Sequence, residues 1–131
     1  MATMATSPTK GETVRYMVMH YQTQDAEDGI RPSLETQTAI EEYMREAAMS
    51  GVLLSGEGVF PSSAGARVEV TNGKVRVIDG PFAEAKELIG GFAILEVDSL
   101  AEAVEHARKF ALLVGTERVD VRRVVEAEDL Q

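Results

Sequence analysis

Residues 91–102 read GFAILEVDSLAE. Gly91 to Val97 is almost continuously apolar, which is the pattern of a strand covered on both faces. Two residues later, Ser99-Leu100-Ala101-Glu102 has the spacing of a capping box, with Ser99 as N-cap and Glu102 reaching back to it. A strand therefore runs directly into a helix. Leu100, Ala103, Val104, Ala107 and Ala111 fall on one face of that helix, and Gly115 ends it. Glu117 to Val125 follows as a last strand, with Val119 and Val121 alternating against Arg118, Asp120 and Arg122.

Upstream, the same plan occurs once more. Val14 to Tyr21, VRYMVMHY, is a second near-continuous apolar strand. Gln22 to Arg31 is polar and contains the turn pair Asp28-Gly29. Pro32-Ser33 opens a helix over Leu34 to Ser50, with Ser33 as N-cap and Glu35 in the first turn. Ile40, Tyr43, Met44, Ala47 and Ala48 lie on one face, and Gly51 is the stop. Val52 to Ser55 reads as a short strand running into a flexible bend, Gly56-Glu57-Gly58.

Between the two halves, Arg67–Thr71 and Lys74–Ile78 flank Asn72-Gly73, the strongest short hairpin signal. A type I′ turn there pairs Glu69 with Arg76, Val70 with Val75 and Val68 with Val77. The order β-α-β, hairpin, β-α-β predicts an α+β, ferredoxin-like (split β-α-β) fold with the hairpin as an extra. Its antiparallel sheet has two helices on one face. The apolar strands then need cover on the second face, which a second copy of the sheet would supply. The expected assembly is a face-to-face homodimer.

Composition sets limits on function. The 131 residues carry 13 Lys+Arg against 22 Asp+Glu, a net charge of −9, which argues against direct nucleic-acid binding. There is no Cys, which excludes disulfides, zinc-thiolate sites and cysteine nucleophiles. No run of 18 apolar residues exists to span a membrane. Residues 1–12 have no apolar signal core and are expected to form a flexible tail. The domain is placed at 13–126 and a C-terminal tail at 127–131, and the acidic stretch Glu126-Ala127-Glu128-Asp129 is expected to be solvated. A cytoplasmic location fits the missing cysteines.

Gly51–Gly58, then Pro61-Ser62-Ser63, then residues 79–87, DGPFAEAKE, and finally Gly90-Gly91-Phe92 together resemble the YCII-related, DGPF-domain family. The resemblance covers Val14 to Val125. It implies a dimeric α/β barrel of the kind shared with muconolactone isomerase-like proteins. It implies little about reaction: most such proteins have no established activity, and many are encoded beside alternative sigma factors. Some relatives use a His on the first helix with an Asp partner. Leu34 to Ser50 has no His, so that dyad finds no match here. The family's Cys-Pro after the second helix is replaced by Phe110-Ala111-Leu112-Leu113.

Three residues are candidates for acid–base work. Asp79 is a carboxylate at a turn. Glu57 lies between two glycines, where a ligand can approach the backbone. His20 has a pKa suited to proton transfer and shares strand parity with Val14, Tyr16 and Val18. Tyr21, Glu84, Lys86 and Phe82 are candidates to hold a ligand, although Phe82 can equally anchor its loop in the core. His106 falls on the polar flank of the second helix and is expected at the surface. No metal or cofactor site is expected, since nothing in the spacing gathers His20, Glu57 and Asp79. Two functions fit: an isomerase- or lyase-type enzyme acting on a small polar or phenolic molecule, or a non-catalytic binding or regulatory dimer linked to a sigma-factor transcription system.

Overall fold

The computed structural model describes residues 12–131, so nearly all of the expected N-terminal tail lies outside the described residues. Four strands form one antiparallel sheet: β1 (Val14–Tyr21), β2 (Leu53–Gly58), β5 (Ile89–Val97) and β6 (Val119–Arg123), in the order β2-β5-β1-β6. That is the ferredoxin-like order. The hairpin strands β3 (Ala66–Thr71) and β4 (Lys74–Asp79) pair only with each other and stand apart as a second sheet. Their register pairs Glu69 with Arg76, Val70 with Val75 and Val68 with Val77, as the Asn72-Gly73 turn requires. Arg76 donates to Glu69 at 2.7 Å across this ladder.

Two long helices, α2 (Leu34–Met49) and α3 (Leu100–Val114), are separate from a single turn, α1 (Gln24–Glu27). Each starts at a side-chain cap: Ser33 accepts from the Thr36 N–H, and Ser99 from the Glu102 N–H. Gly115 closes α3 with φ +82°, a left-handed stop that glycine adopts without a Cβ penalty. No helix among the described residues is long and apolar enough to cross a membrane.

The core lies between the helices and one face of the sheet. Tyr16 and Val18 of β1, Leu95 and Val97 of β5, and Ala103 and Ala107 of α3 are buried together. Alternation along the strands puts Met17 and Met19 on the opposite face, paired with Ile94 and Phe92 of β5. No helix covers that face. One side of the hairpin is also apolar and open: Val68, Val70, Val75 and Val77 are all more than half exposed.

Three expectations need correction. Gly56-Glu57-Gly58 is not a flexible bend; it continues β2, with Glu57 paired to Phe92. A Cβ on Gly56 would sit 2.9 Å from Met44 Cε, so this glycine makes room for the helix above the strand. His106 is not on the surface. Helix α3 docks through its smallest residues, Ala103 and Ala107, which brings His106 and Phe110 inward and leaves Leu100 and Val104 about half exposed. Finally, Glu126 is not simply solvated: Arg15 grips it with two hydrogen bonds, at 2.7 and 2.8 Å.

Candidate functional site

A cavity of about 300 Å³ opens between the sheet and helices α2 and α3. Its walls are mostly apolar, including Ile40, Met44, Leu53, Leu95 and Val114. Both histidines of the sequence line it, although they are 86 positions apart. His20 comes from the end of β1, on the parity of Tyr16 and Val18 that faces the helices. Its ring lies 5.4 Å from that of Phe110, at a tilt of 53°. Burial pushes the His20 pKa below its ordinary 6.5, so at neutral pH the imidazole is uncharged and available as a proton acceptor.

The sequence makes deliberate room for this ring. A Cβ on Gly91 would stand 2.6 Å from His20 Cε1, and one on Gly90 would stand 2.9 Å from Nε2. The paired glycines before Phe92 thus have a physical purpose: they let the imidazole lie against bare backbone.

On the opposite wall, Tyr43 of α2 meets His106 of α3. The Tyr43 hydroxyl lies 3.1 Å from the His106 backbone oxygen and 3.3 Å from Nδ1. Burial holds the Tyr43 phenol above its usual pKa of 10, so it keeps its proton. The Tyr43 and Phe110 ring centroids are 6.3 Å apart. Tyr43, His106 and Phe110 are functional candidates that sequence reasoning misses. The available signal is that 106 and 110 are four apart on one helix, facing the line of Tyr43 and Ala47 on the other.

The remaining candidates sit elsewhere. Glu57 borders the cavity, but alternation from Gly56, whose Cβ direction meets Met44, turns its side chain to the other face of the sheet. Asp79 ends β4 opposite Ala66, exposed, and does not line the cavity. Tyr21, Glu84 and Lys86 converge on a second, more polar cavity of about 540 Å³ beside Arg118. There Tyr21 donates to Asp120 at 2.6 Å, and the Arg118 guanidinium lies 3.9 Å from the center of its ring. No group of three or more His, Asp or Glu among the described residues is placed to hold a metal ion.

The DGPF loop is tied down by hydrogen bonds. Glu27 accepts from both the N–H and the hydroxyl of Ser62, which lowers its pKa. The Ser62 hydroxyl in turn accepts the Phe82 N–H at 2.8 Å. Phe82 is half-buried beneath the Arg67 guanidinium, 4.2 Å from its ring center, and stands outside the main core. The peptide between Gly80 and Pro81 is cis.

The YCII-related domain matches residues 14–128. The chain belongs to the YCII-related family. The chain is 44% identical over 50 residues to an uncharacterized protein of Rhizobium meliloti (strain 1021), a match that spans 38% of this chain and 40% of that one. Among solved structures it is similar to the 5-chloro-2-hydroxyhydroquinone dehydrochlorinase of Burkholderia phenoliruptrix AC1100, in complex with 2,5-dihydroxybenzoquinone. That likeness has a TM-score of 0.51 at 12% identity, covering 87% of this chain and 96% of that one. At this identity the likeness is one of fold. It agrees with the α+β, ferredoxin-like architecture of this YCII-related chain.

Proposed function

We propose that this YCII-related protein carries out acid–base chemistry of the lyase or isomerase type on a small phenolic molecule bound in the cavity between sheet and helices. One observation carries the reading: both imidazoles of the sequence line a single apolar cavity, and burial keeps His20 uncharged at neutral pH. His20 takes a proton from a ring hydroxyl, the electron pair moves into the ring, and a ring carbon takes up a proton as the oxygen becomes a carbonyl, which is isomerisation. Where that carbon carries a halide, loss of the proton of the second hydroxyl then pushes electrons back through the ring and expels the halide, which is elimination to the quinone. The similarly folded dehydrochlorinase acts on a substituted hydroquinone, which supports a phenolic substrate class.

The test is turnover of a panel of halogenated and hydroxylated hydroquinones, followed by absorbance. The wild type should turn over at least one member, and His20→Gln should lower kcat by about 10²–10⁴-fold. Binding without turnover of any member would move the protein to the non-catalytic class. Lowered by desolvation, the His20 pKa also predicts a pH dependence. Activity should hold above the unfolded value of 6.5 and fall only as pH drops through the lower folded value.

We also propose a homodimer closed through the helix-free face of the sheet. Met17, Met19, Phe92 and Ile94 form adjacent apolar pairs there, on strands with no layer over them. Light scattering should give twice the chain mass, and Met19→Asp should shift it to one. A monomeric wild type at micromolar concentration would sink the proposal.

A further inference from the structure

We propose that Tyr43 and His106 form a second hydrogen-bonding pole of the cavity, which therefore selects rings with oxygen functions at two edges over rings with one. This deepens the acid–base reading of the same cavity and rests on it. Three observations lead there. The first is placement. His20 belongs to the sheet wall and His106 to the helical wall, and both face one space.

The second is spacing. Phe110 packs against both polar groups, its ring 5.4 Å from that of His20 and 6.3 Å from that of Tyr43. The two handles thus share the Phe110 ring as a common neighbour. A flat molecule lying along Phe110 would meet one pole at each edge. Elsewhere the walls offer mainly hydrocarbon, from Ile40, Met44 and Leu95. An oxygen placed there would lose its water without a partner.

The third is hydrogen-bond accounting. The Tyr43 hydroxyl has a single hydrogen, and the His106 carbonyl, which can only accept, takes it at 3.1 Å. At 3.3 Å, Nδ1 then faces a hydroxyl lone pair and must carry a hydrogen of its own. This satisfies all three atoms and fixes the imidazole ring. Its remaining polar atom, Nε2, has no partner assigned by this network and is left for a ligand.

The experiment follows the imidazole Cε1–H signals of the full chain by NMR during anaerobic titration with hydroquinone and, separately, with phenol. The sequence has two histidines, so there are two signals, and His20→Gln assigns them. Hydroquinone should move both signals and bind more tightly than phenol. Tyr43→Phe should weaken hydroquinone by about tenfold and leave phenol unchanged, because only the two-ended ligand uses that pole. If saturating hydroquinone moves the His20 signal alone, the second pole is overturned while the cavity and its base stand. If neither signal moves, the cavity reading falls with it. The wild-type titration needs no variant, so a Tyr43→Phe chain that fails to fold does not shield the proposal.

Discussion

Gly80→Ala is expected to cost this protein about 3 kcal/mol or more of unfolding free energy, a larger loss than an added methyl should cause at any other described glycine. The reason is backbone meeting backbone. A Cβ at position 80 would overlap the Ser62 carbonyl oxygen and stand 2.6 Å from its carbon. No rotamer change relieves that overlap, since neither atom belongs to a side chain. One of the two loops must move away. Separation would also break the links that converge on Ser62, which joins Phe82 to Glu27. The Gly80 N–H bond to the Gly65 oxygen at 3.0 Å would go as well. The base of the hairpin would then be untethered from α1. The measurement is urea unfolding followed by far-UV circular dichroism. A midpoint equal to that of the wild type would show that the loops do not approach as described.

How much of the fold and the site is legible in the sequence depends on whether the signal is local. The hairpin register follows from Asn72-Gly73, because a two-residue turn leaves one way for the flanking strands to pair. The inward orientation of His20 follows from period-two alternation with Tyr16 and Val18. Gly56 and Gly58 are less transparent. A glycine can mark a bend or a close approach, and only the position of Met44, far away on α2, distinguishes the two. The same limit applies to α3. Its apolar residues define a face, but which part of that face docks is set by size. Ala103 and Ala107 come nearest the sheet because they are small, and this rotates His106 and Phe110 toward α2. The candidate site is harder again. Nothing local shows that Tyr21 and Lys86 meet at one cavity while His20 shares another with Tyr43 and His106, since long-range loop placement leaves no periodic trace.

Gly91→Ala is the second large effect expected, and it tests the cavity itself. The added Cβ would fall 2.6 Å from His20 Cε1 and 2.7 Å from the Glu57 backbone oxygen. The first overlap can be relieved by swinging the imidazole aside, since it is the end of a movable side chain. The second cannot, because Glu57 lies within β2 and is held by its pairing to β5. A loss of about 2 kcal/mol is expected, together with a displaced His20 ring. The two contributions separate in a double-mutant cycle with His20→Ala. Shortening His20 removes the side-chain overlap and leaves the backbone one. Gly91→Ala should therefore be less damaging in the His20→Ala background than in the wild type, by about 1 kcal/mol. Strict additivity would mean that the imidazole does not rest against Gly91. That result would remove the basis for a buried, uncharged His20, and with it the base on which the proposed chemistry depends. Full rescue would instead place the whole cost on the ring and show that β2 can yield at Glu57. The intermediate outcome follows from the geometry, because one of the two contacts is a movable side chain and the other is part of the sheet.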